Sequence, residues 1–198
     1  MNAGNGDQQD TQDMASLAAG QESSLNHLMS RNAEKLFHYL VRSLENESDA
    51  ADLTQETFVR VYLNRSKFDP RQKFSTWLYA IASNLVRDRY RWRQRHPELS
   101  LDAENPATGN AFGESIPEPK PSPSEAVQAH ERAELVRRAV AALPEELRLP
   151  LILAEYEDLS HAEVGEILRC TTKAAENRIY RARQQLRARL ARLLERPS

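Results

Sequence analysis

The most distinctive feature of this sequence is a run of alternating arginines with two aromatic rings among them. The run ends the stretch FSTWLYAIASNLVRDRYRWRQRH, residues 74–96, whose first half has apolar residues at helical spacing. Guanidinium groups pair with anions, and aromatic rings can stack on planar groups. The residue types therefore indicate contact with a polyanion through Arg87, Arg89, Tyr90, Arg91, Trp92, Arg93 and Arg95.

The aromatic residues of this stretch have a second interpretation, as members of a hydrophobic core. Trp77 lies at helical spacing with Leu78 and Ile81, so we expect its ring to pack inside the domain. For Tyr90 and Trp92 both interpretations, packing in the core and stacking on a base, remain open.

A second basic segment lies near the C-terminus. Between residues 169 and 196 nine lysines and arginines accompany only two glutamates, although the whole chain has a formal net charge of −2. Two basic segments on a slightly acidic background suggest two separate contacts with something negatively charged.

The C-terminal segment has the pattern of a helix-turn-helix. Ser160 and Glu163 have the spacing of a capping box, and a brief turn over residues 169–171 follows the short helix that they begin. Thr171 or Thr172 then caps a longer helix. Its apolar positions form one continuous stripe, made of Ala175, Ile179, Ala182, Leu186, Leu190 and Leu193.

The start of that longer helix carries side chains suited to base recognition. The major groove of B-DNA admits one helix, and arginine, asparagine and glutamate can bond guanine, adenine and cytosine there. A basic, solvated helix of a bundle is the competing interpretation. The predicted contact face comprises Lys173, Glu176, Asn177, Arg178, Tyr180 and Arg181.

Composition argues against an enzyme and against a membrane protein. The sequence has no HExxH motif, nucleophile elbow or glycine-rich phosphate loop, and its five histidines are dispersed, so we predict no catalytic residue, metal or cofactor. The single cysteine, Cys170, excludes an intramolecular disulfide and suggests a reducing compartment. The N-terminus does not resemble a signal peptide, and the longest apolar stretch is too short to cross a bilayer. We therefore expect a cytoplasmic protein without membrane insertion.

The elements that position these residues are predicted to be helices throughout. Period-two alternation is absent, so the fold class is all-α, with two small helical domains joined by a flexible, proline-rich linker. Helices are expected over 16–44, 49–65 and 74–96, and again from a capping box at Ser122 and Glu125. The predicted organisation is a disordered tail at 1–15, domains at 16–96 and 123–195, and the linker at 97–122.

Several motifs together resemble one protein family. DAADLTQETFVRVY, FSTWLYAIASNLVRDRYRWRQR, LPEELRLPLILAEYEDLSHAEVGEIL and NRIYRARQQL occur in this order, with the proline-rich segment between the second and the third. They resemble the extracytoplasmic-function (ECF) sigma factors, the smallest sigma-70-type initiation factors of bacteria. The resemblance covers about 17–96 and 124–194, and it identifies the two domains as sigma regions 2 and 4.

The resemblance implies roles for particular residues. In region 2 the match implies a polymerase-binding helix and a loop at Asn84 that receives a flipped-out base of the −10 element. The arginine run matches the helix that lies along −10 DNA, and the predicted face of the C-terminal helix matches the surface that reads the −35 element. The implied polymerase-binding residues are Asp52, Gln55 and Glu56, and the implied −10 residues are Asn84, Arg87, Arg89, Arg91 and Arg93.

The implied partners are promoter DNA, core RNA polymerase and an anti-sigma factor. Polymerase would be bound through the clamp of its largest subunit and the flap of its second-largest subunit. A stand-alone helix-turn-helix regulator is the alternative; it explains residues 158–194 but leaves the arginine-containing stretch at 74–96 and the polymerase-binding helix unexplained. One departure from the family concerns Glu176: many members have Gly-Thr-Val followed by a basic or small residue where this chain has Lys-Ala-Ala-Glu. Glu176 would repel phosphate, so we expect it to face a base or to pair with a neighbouring arginine.

Overall fold

The computed structural model describes residues 3–96 and 123–194, and these residues form α-helices without any strand. The prediction of an all-α fold is confirmed. The predicted linker at 97–122 lies outside the described residues. The predicted capping box also lies outside what the structure describes, because it needs Ser122 and the side chain of Glu125. The helices are α1 (Ala3–Ala18), α2 (Ser23–Leu44), α3 (Glu47–Leu63), α4 (Phe74–Arg95), α5 (Pro123–Ala141), α6 (Glu145–Glu155), α7 (His161–Leu168) and α8 (Thr172–Leu194), and a short 3₁₀ helix spans Arg65–Lys67.

The N-terminal domain is built on α2, α3 and α4, which pack around a common apolar core. Helix α2 ends at Glu45, which has a left-handed backbone (φ 56°), and Asn46 then caps α3 by accepting a hydrogen bond from the Asp49 amide at 2.8 Å. The ring of Trp77 lies 5.3 Å from that of Phe68 and packs against the core, as predicted.

The prediction of a disordered tail over residues 1–15 is wrong for the described part. Helix α1 covers most of that segment and packs on α2, with Met14 and Leu17 fully buried. Arg31 of α2 pairs with Asp10 at 2.7 Å and also with Asp13, and both carboxylates are largely buried. These charged hydrogen bonds therefore help to hold α1, a polar helix with few apolar residues, against α2.

The predicted helix over 16–44 is two helices. Residues 19–22 separate α1 from α2, and Gly20 there has φ of 99°, a conformation that residues with a Cβ rarely adopt.

The C-terminal domain consists of α5 to α8, with the longest of them, α8, packed against α5, α6 and α7. Pro144 precedes α6, and Leu147, Leu151 and Ile152 of that helix are fully buried. Ser160 forms the predicted capping box with Glu163 at the start of α7.

The two domains pack against each other, which the prediction of domains joined only by a flexible linker does not anticipate. Helix α7 lies on α4, α6 lies on α2, and the buried apolar residues of both domains form one continuous cluster. Lys73 pairs with Glu163 at 2.7 Å, and the Tyr79 hydroxyl donates a hydrogen bond to Glu157. The described domains are therefore in a closed arrangement.

Two charged groups are buried where the domains meet. Glu157 is 7% exposed and lies 3.7 Å from Arg42, and burial raises the pKa of this carboxyl despite the Tyr79 hydroxyl and the nearby cation. Arg148 of α6 pairs with Glu45 at the end of α2 and lies over the ring of Tyr90, 5.4 Å from its centre. Polar contacts as well as apolar burial therefore join the domains.

Candidate nucleic-acid interface

Helical geometry divides the arginine run between two faces of α4. Residues two apart on an α-helix point in nearly opposite directions, whereas residues four apart share a face. Because the whole run lies within one helix, Arg87, Arg91 and Arg95 follow one side, and Arg89 and Arg93 follow the other. The structure therefore does not bring the predicted −10 residues together on a single surface.

Arg89 and Arg93 share one carboxylate of the neighbouring helix. Asp49 of α3 lies 3.2 Å from Arg89 and 2.6 Å from Arg93, and both arginine side chains are less than a third exposed. Arg93 also donates to the Leu44 carbonyl at 3.4 Å. These two arginines fasten α4 to the start of α3, a role that the sequence pattern did not indicate.

Arg87 contacts the helix-turn-helix itself. Its guanidinium donates to the Leu168 carbonyl, at the end of α7, at 3.1 Å. Arg91 pairs with Asp88 of its own helix, and its side chain is 67% exposed. On this face Arg91 is therefore open to a partner, whereas Arg87 is engaged by the C-terminal domain.

The expectation that Asn84 lies in a loop is wrong. Asn84 is in the middle of α4, half-buried, and its side-chain oxygen accepts a hydrogen bond from Arg87 at 3.4 Å. The non-α-helical connection that precedes α4 spans residues 64–73 and includes the short 3₁₀ helix. The apolar period of FSTWLYAIASNL continues unbroken through Asn84, which is why the chain stays helical there.

The structure distinguishes the two aromatic residues of the run. The Tyr90 hydroxyl donates to the Ser43 carbonyl and its ring packs against the core, so Tyr90 is engaged within the protein. Trp92 is 38% exposed and stacks on His96 with their ring centres 4.9 Å apart. Of the two rings, Trp92 is the one that a base could reach in this arrangement.

The helix-turn-helix has the predicted local structure. Thr171 caps α8 by accepting a hydrogen bond from the Ala174 amide at 3.1 Å, which decides between the two threonines. Ala175, Ile179 and Ala182 of α8 are buried, as are Val164 and Ile167 of α7. The side chains on the opposite side of α8 are therefore held outward by a fixed apolar face.

The predicted recognition face of α8 is largely exposed at its start. Lys173, Asn177 and Arg181 are exposed and Tyr180 is 62% exposed, whereas Arg178 is only half-exposed. Glu176 pairs with Lys173 at 2.9 Å, and that hydrogen bond lowers the pKa of its carboxyl. Of the two expectations for Glu176, pairing with a neighbouring arginine is wrong, because its partner is Lys173, and a base contact stays a prediction. The Lys173 pair reduces the repulsion between Glu176 and phosphate.

Helix α3 presents the three predicted polymerase-binding residues to solvent. Asp52 and Gln55 are exposed, and Glu56 is half-exposed and pairs with Arg60 at 2.7 Å. The opposite face of the helix is buried through Leu53, Thr57, Phe58 and Val61.

Sequence comparison assigns both domains. The model of sigma-70 region 2 matches residues 28–96, and that of sigma-70 region 4 matches residues 133–186. The ECF RNA polymerase sigma factor SigW of Bacillus subtilis is 37% identical over 158 residues, which cover 79% of this chain and 83% of that protein. This chain belongs to the ECF RNA polymerase sigma factors.

Other relatives agree with this assignment. The ECF sigma-E factor of Escherichia coli is 30% identical to this sigma factor over 84% of the chain and 86% of that protein. CnrH, solved in complex with the cytosolic domain of CnrY, has a TM-score of 0.66 at 26% identity and covers 92% of this chain and 97% of its own. RpoE of Bartonella quintana, solved with the anti-sigma factor NepR, has a TM-score of 0.67 at 20% identity. The match covers 86% of this chain and 98% of RpoE, and at this identity it supports the fold alone. The family is one of transcription initiation factors, so the interpretation as a stand-alone regulator is not supported.

Two kinds of feature are absent from the residues that the structure describes. None of their helices is long and apolar enough to cross a membrane. No group of three or more histidine, cysteine, aspartate or glutamate side chains among them could hold a metal ion.

Proposed function

We propose that this sigma factor binds core RNA polymerase through the outer face of α3 and positions α4 and α8 on the −10 and −35 elements of its promoters. The exposed carboxylates of α3 carry the first part of the proposal, because a basic surface of the polymerase clamp would complement them. The exposed polar start of α8 carries the second part. The sigma factor would contribute no catalytic residue, because polymerase supplies the chemistry, and its work with polymerase would place it in the cytoplasm.

The polymerase contact is tested by gel filtration with sigma-free core enzyme. We expect the wild type to co-elute, and we expect the Asp52→Ala/Glu56→Ala variant to co-elute less, because it lacks both carboxylates of the α3 face. Thermal unfolding of the variant serves as the fold control, since both side chains point away from the core. Equal co-elution of the two proteins would contradict the assigned surface.

Promoter contacts are tested by comparing Arg181→Ala with Arg91→Ala. Loss of an arginine that bonds a base edge costs roughly 1–3 kcal/mol and relaxes specificity at one position, whereas loss of a phosphate contact weakens binding similarly on all sequences. We expect Arg181→Ala to reduce initiation mainly on templates that retain a −35 element. We expect Arg91→Ala to act alike on all templates. The measurement is run-off transcription from matched templates, and an equal loss for Arg181→Ala without the −35 element would exclude that role.

The closed arrangement supports a role for polymerase in separating the domains. The Arg87 guanidinium donates to the Leu168 carbonyl in this arrangement, so a −10 phosphate would compete with the C-terminal domain for its donors. In the closed form α7, the helix that precedes α8, also packs on α4. Binding of the two domains to separate promoter elements would require this contact to open. Polymerase would hold the separated domains at promoter distance, which raises the effective concentration of each at its element.

Control by an anti-sigma factor is the remaining part of the proposal. CnrH and RpoE were solved in complex with CnrY and with the anti-sigma factor NepR, respectively. An anti-sigma factor of this protein would act by keeping the α4 and α8 surfaces from DNA. The second polymerase contact, between region 4 and the flap of the second-largest subunit, is proposed on the family assignment alone.

A further inference from the structure

Two exposed aliphatic residues continue the polar face of α3. Val59 is 50% exposed and Leu63 is 67% exposed, and both are among the most exposed large apolar residues of the described chain. The other members of that group are Trp92, Tyr156 and Tyr180. The rings of Trp92 and Tyr156 contact His96 and Arg42, and the Tyr180 hydroxyl accepts a hydrogen bond from Gln184. Val59 and Leu63 are thus aliphatic groups presented to water near the end of a helix.

Their spacing places them on the surface proposed for polymerase. Asp52, Gln55, Val59 and Leu63 follow one another at steps of three, four and four residues, which keep these side chains on one stripe of a helix. Glu56 lies on the same stripe. The stripe is therefore acidic and polar at its start, from Asp52 to Glu56, and aliphatic at its end, and it extends about 16 Å at 1.5 Å per residue.

The closed domain arrangement does not account for the aliphatic half. The C-terminal domain packs on α2 and α4, and α3 uses its opposite face to pack on those same helices. Isolated exposed aliphatic residues are common on protein surfaces. Two adjacent ones that extend a polar binding stripe are the arrangement expected for the apolar centre of an interface with a polar rim.

We propose that Val59 and Leu63 form an apolar anchor for core RNA polymerase. This inference rests on the proposed function, since it extends the same α3 surface. The partner surface must place basic groups opposite Asp52 and Glu56 and an apolar patch about 10 Å further along the helix axis, opposite Val59 and Leu63. Polar groups at the first end give orientation and apolar burial at the second gives affinity.

The test measures the affinity of fluorescently labelled sigma factor for sigma-free core polymerase. In Val59→Gln/Leu63→Gln both side chains become polar while helix propensity is preserved. We expect this variant to bind roughly tenfold to a hundredfold more weakly, because truncating the apolar anchors of an interface costs that much. Val59→Ile/Leu63→Met keeps the apolar surface and should bind within about threefold of the wild type.

The Asp52→Ala/Glu56→Ala variant separates failure of this inference from failure of the proposed function. If the glutamine variant binds like the wild type while the alanine variant binds weakly, the aliphatic anchor is wrong and the polymerase surface stands. If neither variant loses affinity, the α3 surface itself is wrong. Equal weakening of the glutamine and the Ile/Met variants would also overturn the anchor, because retained apolar area would then make no difference.

Discussion

Gly165→Ala is expected to destabilise the helix-turn-helix and to reduce initiation from promoters with a −35 element. A Cβ built at this glycine would lie 2.9 Å from the Cys170 carbonyl oxygen and 3.3 Å from the Thr172 nitrogen. Both atoms belong to backbone that leads into α8, so relief of the contact must move that helix relative to α7. Overpacking of this kind costs about 1–3 kcal/mol, and a shifted α8 would misplace its recognition face.

Alanine is expected to destabilise the protein at Gly165, whereas it stabilises at an ordinary glycine within a helix. In the interior of a helix, replacing glycine by alanine stabilises by about 0.5–1 kcal/mol. At Gly6, in α1, a Cβ would meet no atom within 4 Å, so Gly6→Ala is the matched control. Hydrogen exchange of α7 and α8 would report the loss directly. Faster exchange there in Gly165→Ala alone is the expected result, and unchanged exchange would mean that the turn tolerates the methyl group.

Glu45→Gln is expected to loosen the contact between the domains. It removes the counter-charge of Arg148, whose side chain is only 10% exposed, and leaves a buried cation facing a neutral amide. Removing one charge from a buried ion pair costs several kcal/mol. Because Glu45 is itself 39% exposed, we expect the closed arrangement to be destabilised by only about 1–3 kcal/mol relative to the open one. Small-angle scattering of the free protein should show a larger radius of gyration.

Arg148→Met distinguishes the loss of one charge from the loss of the whole pair. It keeps an unbranched side chain against the Tyr90 ring and lets the Glu45 carboxylate return to water, so we expect less opening than in Glu45→Gln. Glu155→Gln is the control for a surface pair, because Glu155 and its partner Arg183 lie in the same domain and are 41% and 54% exposed. If Glu155→Gln expanded the protein as much as Glu45→Gln, a specific role of the buried pair would be refuted.

Sequence reasoning succeeded where local pattern determines the structure. The capping box at Ser160 and the apolar stripe of α8 involve residues within a few positions of each other, so they are readable along the chain. The split of the arginine run was also readable, because helical geometry separates residues two apart. The prediction overlooked it because it treated the run as one set of charges.

The remaining features depend on partners that are distant along the chain. Helix α1 has a polar sequence, and its attachment depends on Arg31, 18 to 21 residues away from the carboxylates that it bonds. The closed arrangement depends on pairs such as Glu45 with Arg148, 103 residues apart. No periodicity identifies such pairs, since each member has an ordinary charged side chain in its own segment. Asp49 was overlooked for the same reason, because its two arginines lie on another helix.

The Asp49 cluster has a consequence for how this sigma factor responds to ionic strength. An unpaired lysine or arginine that binds a phosphate releases condensed counterions from the nucleic acid. The affinity of the protein for a single strand then falls by about 0.7 logarithmic units per phosphate contacted for each tenfold rise in salt. Arg89 and Arg93 already bind the Asp49 carboxylate, and Arg91 already binds Asp88. In the proposed −10 contact, phosphate must displace these carboxylates, which would then attract cations from solution and offset part of the release. Binding of α4 to an unpaired strand should thus be less sensitive to the salt content of the cell than a helix with five unpaired arginines would be.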